Sequence, residues 1–313
     1  MLFYFYFVFS RVCSWLIKIM TLPKQVEIVE VSPRDGLQML PNFVPTANKI
    51  ALIQNLKSAG FRRIEAVSFV SPKHVPQMAD AAEVLRAIGD DPAIDEMVLA
   101  LNEKGLMRAI EAKPDWICYV IAATEMMSKR NANTTVADGM EMCKQAIRLG
   151  KENRIKVRGS ISVTWVCPYE GDVPKERVLE ITKELSAAGA DEIAFNDTVG
   201  RAVPNDVYKL CERAKSLFPN QQFAAHFHDT NSTALANIYA ALTAGIDIFD
   251  SSAGGLGGCP FSPGASGNVA TEKVVWMLER MGIQTGIDSE KLKFCAKYAQ
   301  SLELKSKSGA AVG

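Results

Sequence analysis

From Lys24 onward, short apolar runs rich in β-branched residues alternate with longer segments whose apolar residues recur at helical spacing. The short runs predict eight strands: Val26–Val31, Arg63–Phe69, Glu96–Leu101, Trp116–Ile121, Lys156–Thr164, Glu192–Asn196, Gln222–Phe227 and Ile246–Ser252. The longer segments predict helices, among them Thr46–Ala59, Met78–Ile88, Val136–Asn153, Pro174–Ala188, Pro204–Leu217 and Asn231–Ala244. Helices are expected to end in C-cap glycines at Gly60, Gly89, Gly150, Gly189 and Gly245.

Strands that alternate with helices predict βαβ units and a parallel sheet. Eight such units without a low-complexity linker favour an α/β fold, a closed (β/α)8 TIM barrel formed by residues 20–313, over a doubly wound open sheet. A lid loop that bears Cys259 is predicted after the eighth strand, followed by extra C-terminal helices. The tail from Leu304 to Gly313 is expected to fray.

Residues 1–19 form an apolar extension that does not share this amphipathic pattern. Arg11 and Lys18 lie after or within the apolar run, and no small-residue cleavage site follows, so the segment does not resemble a signal peptide. Polar residues also interrupt the roughly 20 apolar positions that a membrane span needs. We favour translation from Met20; a membrane-surface or targeting segment and a packed helix are the alternatives.

The composition excludes several classes of function. Lys and Arg total 35, as do Asp and Glu, so the net charge is zero and no basic excess indicates a nucleic-acid partner or a stable membrane partner. The seven cysteines are scattered without a CxxC pair, which argues against a disulfide framework and a structural zinc site. We therefore expect a cytoplasmic protein.

Unusual polar residues gather at the C-terminal ends of the predicted strands, where barrel enzymes have their active sites. They are Arg34 and Asp35 after the first strand, Glu65 in the second, Asp197 after the sixth, and His226 and His228 at the end of the seventh.

His226 and His228 are predicted to bind a divalent metal ion. Residues i and i+2 of a strand point to the same side, so both imidazoles can approach one ion. When the barrel closes, the first strand lies beside the eighth, which predicts Asp35 as a third ligand and Asn268 as a fourth. Imidazole with oxygen ligands suits Mg²⁺ or Mn²⁺. A pair of satisfied core histidines is the alternative.

The glycine run Gly254–Gly258 precedes Cys259 and predicts a mobile lid. It fails the dinucleotide-binding pattern, because Pro260 stands where that pattern requires glycine. Cys259 could act as a proton donor or a nucleophile, or be an inert thiol in a tight turn.

Arg34 has a fixed positive charge that can stabilise an oxygen as it becomes negative during a reaction. The alternative role is a salt bridge to Glu65 or Asp197. The segment Lys129–Asn133 could meet an anionic substrate tail, although a solvated loop is the interpretation favoured by its composition.

From about Val26 to Leu278 the chain resembles the 3-hydroxy-3-methylglutaryl-CoA (HMG-CoA) lyase family of metal-dependent barrel lyases and synthases. The matching segments are VSPRDGLQ (Val31–Gln38), SFVSPKHVPQMAD (Ser68–Asp80), CPYEG (Cys167–Gly171), NDTVG (Asn196–Gly200), HFHDT (His226–Thr230) and GLGGCPFSPGASGNVATE (Gly255–Glu272). The last segment contains the cysteine loop of the lyases, which the related synthases lack.

The resemblance implies retro-Claisen cleavage of HMG-CoA to acetyl-CoA and acetoacetate with Mg²⁺ or Mn²⁺, by a homodimer. It implies Asp35, His226, His228 and Asn268 as metal ligands, and Arg34, Asp35, Glu65, Asp197, His226 and Cys259 as catalytic residues. The base is left open among His226, Asp197 and a water molecule. The pathway is left open between leucine catabolism, with ketone-body formation, and another acyl-CoA route.

The chain departs from the family pattern at Asn196, Asn231, Trp165 and His74. Asn196, Asn231 and Trp165 are expected to line the acyl pocket. A lyase for a related 3-hydroxy-3-carboxyalkyl-CoA of the citramalyl type, a Claisen or aldol synthase, and a silent binding homologue therefore remain alternatives.

Overall fold

The computed structural model describes residues 22–89, 91–258 and 267–308. The barrel strands are β1 (Glu27–Glu30), β2 (Arg63–Ser68), β3 (Asp95–Ala100), β4 (Trp116–Ala122), β5 (Lys156–Ser162), β8 (Glu192–Asp197), β9 (Gln222–Phe227) and β10 (Ile248–Ser251); β6 (Val166–Cys167) and β7 (Gly171–Asp172) lie outside the barrel. The eight parallel strands close in the order β1-β10-β9-β8-β5-β4-β3-β2. The predicted (β/α)8 barrel is confirmed.

Helices surround the barrel, and two further helices follow the last strand. They are α1 (Thr46–Ser58), α2 (Ala81–Ile88), α3 (Glu103–Ala112), α4 (Glu125–Ala132), α5 (Val136–Asn153), α6 (Lys175–Ala188), α7 (Pro204–Leu217), α8 (Ala234–Thr243), α9 (Thr271–Arg280) and α10 (Ser289–Ser308). The expected extra C-terminal helices are α9 and α10. The predicted Cys259 lid falls outside the described residues, as does the extension 1–19.

Side chains at alternate strand positions fill the inside of the barrel with a small apolar cluster that includes Val29, Val31, Met97 and Ala224. The opposite faces of the strands pack on the helices and form the larger apolar layer. Because neighbouring strands are in fixed register, polar residues at their C-terminal ends are brought to one mouth of the barrel.

Two local expectations are wrong, and one short element was not expected. Gly150 lies inside α5, and the helix ends at Arg154, which adopts a left-handed conformation. The tail from Leu304 remains helical as far as Ser308, because Leu302 and Ser306 of α10 are buried. A short antiparallel hairpin, β6 (Val166–Cys167) with β7 (Gly171–Asp172), was not predicted.

Among the described residues, no helix combines the length and apolar character that crossing a membrane requires.

The two glycines of α5 differ in the space around them, which gives a matched test of the packing. A Cβ at Gly150 would lie 2.7 Å from the Ile155 carbonyl oxygen and would overlap Val157, whereas at Gly139 it would lie 3.7 Å from Thr134. Gly139→Ala is expected to raise the free energy of unfolding by up to about 1 kcal/mol, since alanine favours helix. Gly150→Ala is expected to lower it by about 1–3 kcal/mol through overpacking. Urea unfolding of both variants checks this, and equal effects would contradict the packing at Gly150.

Candidate metal centre and active site

A cavity of about 440 Å³ opens at the C-terminal mouth of the barrel. Its lining includes five of the residues predicted from the sequence to form the site: Arg34, Asp35, Glu65, His226 and His228. A recess of about 510 Å³ lies at the opposite mouth, but its described lining residues include no histidine or cysteine. The histidines and the other predicted site residues therefore identify the C-terminal cavity as the candidate site.

A five-residue turn after β1, Ser32–Gly36, places Arg34 and Asp35 in this cavity. The Val31 carbonyl accepts hydrogen bonds from the amides of Arg34, Asp35 and Gly36 at 3.2, 2.8 and 3.2 Å. This wide turn fixes the backbone directly below both side chains, so they project from a rigid base.

Arg34 is held between two carboxylates. Its Nε donates to Glu65 Oε2 at 2.6 Å, and its Nη1 donates to Asp35 Oδ1 at 2.5 Å. Burial raises the pKa of Glu65, and Arg34 opposes this rise. Burial would also raise the pKa of Asp35, but Arg34 and the two imidazoles outweigh burial and hold that pKa below its usual range. Of the salt bridges considered for Arg34, the structure has the one to Glu65 and not one to Asp197.

The two imidazoles lie side by side beneath this turn, with ring centroids 5.1 Å apart. Ligand atoms of Asp35, His226 and His228 all lie within 4.8 Å of one another, and all three residues are nearly buried. The strand pattern therefore places both rings on the side that faces Asp35.

Asn268 is the fourth member of this group. It lies just after residues 259–266, which are outside the described part of the chain. His228 and Asn268 form an antiparallel β-bridge, and Asn268 Nδ2 donates to Asp35 Oδ2 at 2.7 Å and to the Leu256 carbonyl at 3.0 Å. A Cβ at Gly267 would overlap the Gly257 carbonyl, so the two described ends of the segment meet without room for a side chain.

The residues present fit a divalent cation. Within the described chain, the buried Asn268 Oδ1 and His228 Nδ1 have no hydrogen-bond partner, which is rare for buried polar atoms unless an ion or water uses them. Burial, with His226 nearby, lowers the pKa of His228 to about 4, so its imidazole is neutral and able to ligate. One carboxylate, two imidazoles and an amide oxygen form a donor set typical of a divalent metal site.

Asp250 is a member of the site that the sequence analysis missed. It pairs in register with His226, and His226 Nδ1 lies 3.3 Å from Asp250 Oδ2. Arg158 Nη1 donates to both oxygens of the same carboxylate, at 2.8 and 2.9 Å. Burial would raise the pKa of Asp250, but Arg158 and His226 lower it to about 2, so the carboxylate is charged and orients the His226 ring through Nδ1.

The sequence carried one signal for Asp250. Ile246, Ile248 and Asp250 share one face of the predicted eighth strand, so an acid occupies an inward position of an otherwise apolar strand. That strand lies next to the one that carries the histidines, which is the context in which an orienting carboxylate is expected.

Asp197 occupies a different place from the other predicted catalytic residues. Its two carboxylate oxygens accept hydrogen bonds from the amides of Arg201 and Ala202 at 3.0 and 3.1 Å. Burial, opposed by these amides, raises its pKa to about 6. Asp197 does not line the cavity among the described residues, whereas Asn196 and Thr198 on either side of it do.

Only one of the three residues expected in the acyl pocket lines the cavity. Asn196 does so, and its Nδ2 donates to Ser160 Oγ at 2.8 Å. Trp165 instead packs behind the wall, with its ring centroid 5.5 Å from that of Phe227. Asn231 Nδ2 donates to the Gly200 carbonyl at 2.8 Å, so this side chain stabilises a turn.

The segment around Lys129–Asn133 is not a solvated loop. It forms the end of α4, and Asn133 caps the helix in a left-handed conformation. Arg130 and Asn133 line the cavity with His74, so a positively charged rim faces the mouth of the barrel.

Comparison with known proteins assigns the family. The HMGL-like family model matches residues 25–298. The chain is 42% identical over 287 residues to a 3-hydroxy-3-isohexenylglutaryl-CoA/hydroxy-methylglutaryl-CoA lyase of Pseudomonas aeruginosa, covering 90% of this chain and 96% of that protein. It is 44% identical over 272 residues to the mitochondrial hydroxymethylglutaryl-CoA lyase of Bos taurus, covering 87% and 84%.

This chain belongs to the HMG-CoA lyase family. Its fold agrees with that of an HMG-CoA lyase from A. baumannii solved with coenzyme A and 3-methylmalate, with a TM-score of 0.86, 36% identity, and coverage of 92% of this chain and 96% of that one. HMG-CoA lyases are divalent-metal-dependent enzymes, which agrees with the donor set at the barrel mouth.

Asp250 gives a testable prediction about this lyase site. Asp250→Asn removes the charge that fixes His226 and pairs with Arg158, so the affinity of the metal-free protein for Mn²⁺ is expected to fall by about 10- to 100-fold. Electron paramagnetic resonance titration of free Mn²⁺ at pH 8 measures the affinity. Asp247→Asn, an exposed substitution earlier on the same stretch of chain, is the control and should bind as the parent does. Unchanged affinity in folded Asp250→Asn would contradict the orienting role.

Proposed function

We propose that this protein cleaves HMG-CoA to acetyl-CoA and acetoacetate, with a divalent cation held by Asp35, His226, His228 and Asn268. The observation that carries the proposal is the convergence of Asp35 and the two imidazoles within 4.8 Å, directly beside Arg34. Family membership supports the reaction class, and the residues at the barrel mouth supply the groups that the reaction needs.

The cation, when bound, would act as a Lewis acid that lowers the pKa of the substrate 3-hydroxyl. Loss of the hydroxyl proton lets the 3-carbon become a ketone while the bond to the thioester-bearing carbon breaks. The electron pair passes to the thioester oxygen, which becomes an enolate. Arg34, pre-oriented by Glu65 and Asp35, would donate hydrogen bonds to that oxygen as its charge develops.

Proton transfer is assigned to two places in the site. We infer that Cys259 delivers a proton to the enolate carbon, as the resemblance implies. A water molecule is the favoured base for the 3-hydroxyl, because His226 has Nδ1 on Asp250 and would give its other nitrogen to the cation, and Asp197 does not line the described cavity. Asp197 is then a positioning residue for the turn after β8.

The cavity suits the acyl end of a coenzyme A thioester. Its volume of about 440 Å³ leaves space above the metal-ligand group, and Arg130 on the rim provides a positive charge for an anionic tail. The relative solved with coenzyme A and 3-methylmalate supports a thioester substrate.

A related 3-hydroxy-3-carboxyalkyl-CoA is the second candidate substrate. Asn196 pairs in register with His226 and lines the cavity next to Ser160, which makes this wall polar where the family pattern has glycine. The P. aeruginosa relative carries a name with a longer acyl group, so substrate choice within this family varies. A panel of 3-hydroxy-3-methylacyl-CoA thioesters separates the two candidates.

We further propose Mg²⁺ or Mn²⁺ as the physiological ion, a homodimer as the working assembly, and the cytoplasm as its location, with residues 20–313 as a single catalytic domain. The dimer and a role in leucine catabolism follow the family resemblance. The cytoplasmic assignment follows the free, buried cysteines Cys118, Cys143, Cys167, Cys211 and Cys295.

Turnover tests the proposed reaction directly. Protein supplied with HMG-CoA and Mg²⁺ or Mn²⁺ is expected to release acetyl-CoA and acetoacetate, and excess EDTA should abolish the release. Asp35→Ala is expected to lower kcat/KM by several orders of magnitude because it removes the shared ligand and the partner of Arg34. Asp206→Ala, on the exposed face of α7, is the control. Retained turnover in EDTA, or in Asp35→Ala, would overturn the metal-dependent mechanism.

The role of Cys259 gives a separate prediction. Cys259→Ser is expected to lower kcat by orders of magnitude, because a serine hydroxyl is a far weaker acid than a thiol, while Mn²⁺ affinity stays at the parent value. Product analysis by chromatography distinguishes a thiol hydrolase, which would release free coenzyme A without cleavage of a carbon–carbon bond. Full activity of the serine variant would exclude Cys259 as the proton donor.

A further inference from the structure

Glu30 is a charged residue buried away from the catalytic cavity, and the proposed mechanism does not use it. Val29 and Val31 face the inside of the barrel, so Glu30 between them faces the surrounding helices, where it is 0% exposed. Burial raises its pKa to about 7, against the effect of the hydrogen bonds that it accepts. A carboxyl group in an apolar layer is costly unless its hydrogen bonds are satisfied.

Three chain segments donate hydrogen bonds to this one carboxyl group. The Ser32 amide and the Ala253 amide donate to Oε1 at 2.8 and 2.9 Å. The Thr271 hydroxyl, also 0% exposed, donates to Oε2 at 2.8 Å and itself accepts from Ser251 Oγ at 2.8 Å.

Each of these segments leads directly into the candidate site. Ser32 begins the turn that carries Arg34 and Asp35. Ala253 begins the stretch that ends at Gly258 on the cavity wall, and Thr271 begins α9 just after Asn268. The two stretches are also joined by a β-bridge between Ser252 and Ala270. Glu30 therefore ties the base of the Asp35 turn to the base of the segment that presents Asn268.

We propose that Glu30 is a positioning residue that fixes the distance between Asp35 and Asn268, and so sets the metal affinity of the proposed lyase site. The contact that depends on it is the 2.7 Å hydrogen bond from Asn268 Nδ2 to Asp35 Oδ2, which leaves Asn268 Oδ1 unpartnered and available. Without the carboxyl group, two amides and a hydroxyl lose their acceptor in a buried place, and the three segments are free to separate.

The arrangement works with Glu30 either charged or protonated. With the carboxylate, the hydroxyl chain runs from Ser251 through Thr271 to Oε2. With a proton on Oε2, the carboxyl donates to Thr271 Oγ1, and the Thr271 hydroxyl turns towards Ser251, while Oε1 still accepts both amides. Among the described residues, the Cys295 thiol on α10 is a titratable group near Glu30; burial and Glu30 raise its pKa to about 11, so it stays protonated.

Because the hydrogen bonds persist in both protonation states of Glu30, Glu30→Gln and Glu30→Leu are expected to have different effects. A glutamine carbonyl can accept the Ser32 and Ala253 amides, and its amide group can donate to Thr271, so the isosteric variant retains all three connections. Leucine has nearly the same size but retains none. Thr271→Val removes a single connection, and Thr182→Val is its matched control, because Thr182 is equally buried but donates only to the Val178 carbonyl of its own helix, 2.8 Å away.

The experiment titrates the metal-free variants with Mn²⁺ and measures amide hydrogen exchange in the same samples. Glu30→Leu is expected to weaken Mn²⁺ binding by about tenfold or more, Thr271→Val by about two- to fivefold, and Glu30→Gln by less than about threefold. Exchange should rise in Ser32–Gly36, in 253–258 and in 267–271, but not in α6. Thr182→Val should match the parent in both measurements.

Several outcomes would overturn the proposal. Parental Mn²⁺ affinity in folded Glu30→Leu would do so, as would equal losses in Glu30→Gln and Glu30→Leu, or an exchange increase spread over the whole barrel. If Glu30→Leu does not fold, the comparison of Thr271→Val with Thr182→Val decides, and equal affinities there refute the role. A parent protein that binds no Mn²⁺ would instead contradict the proposed function, while the exchange pattern still tests Glu30.

Discussion

The pairing of β1 with β10 is the constraint on which the site depends. These strands run in register from Glu27 opposite Ile248 to Glu30 opposite Ser251, and their contact closes the barrel. Asp35 lies five residues beyond the end of β1, so closure brings it to His226 of β9 and to His228 just after that strand, on the other side of β10. An open sheet would leave these residues at opposite edges, and no common ion could reach them.

Closure also encloses charged side chains that an apolar barrel would not need. Arg158 is 1% exposed and lies between Glu192 and Asp250, and Asp250 in turn contacts His226. Buried ion pairs often contribute little to stability, because desolvation offsets the attraction. Their value here is orientation: each charge has one arrangement of partners, and Asp250 orients the ring of His226, a proposed metal ligand.

The parts predictable from sequence are those that follow from periodicity. Alternate apolar positions gave the strands, and the spacing of His226 and His228 gave two rings on one side. Glu30 and Asp250 were missed because their importance depends on partners more than 20 residues away along the chain, such as Thr271 and Arg158. Gly150 was misplaced for a different reason: its neighbour Val157 is close along the chain, but the contact is one of packing between α5 and β5 and does not end the helix.

The electrostatics of the mouth favour the dication proposed here over a further lysine or arginine. Within hydrogen-bond distance of the carboxylates of Asp35, Glu65 and Asp250 lie two permanent positive charges, Arg34 and Arg158. Burial lowers the pKa of His226, but Asp250 and Asp35 outweigh burial and leave that pKa above its ordinary value. The protein thus favours additional positive charge at the ring that faces Asp35. A proton adds this positive charge by forming one bond. A divalent cation would add it while binding Asp35, both imidazoles and the Asn268 oxygen. The cation and the proton compete for one nitrogen, so the same geometry that attracts the ion makes its binding weaken as the pH falls below the pKa of His226.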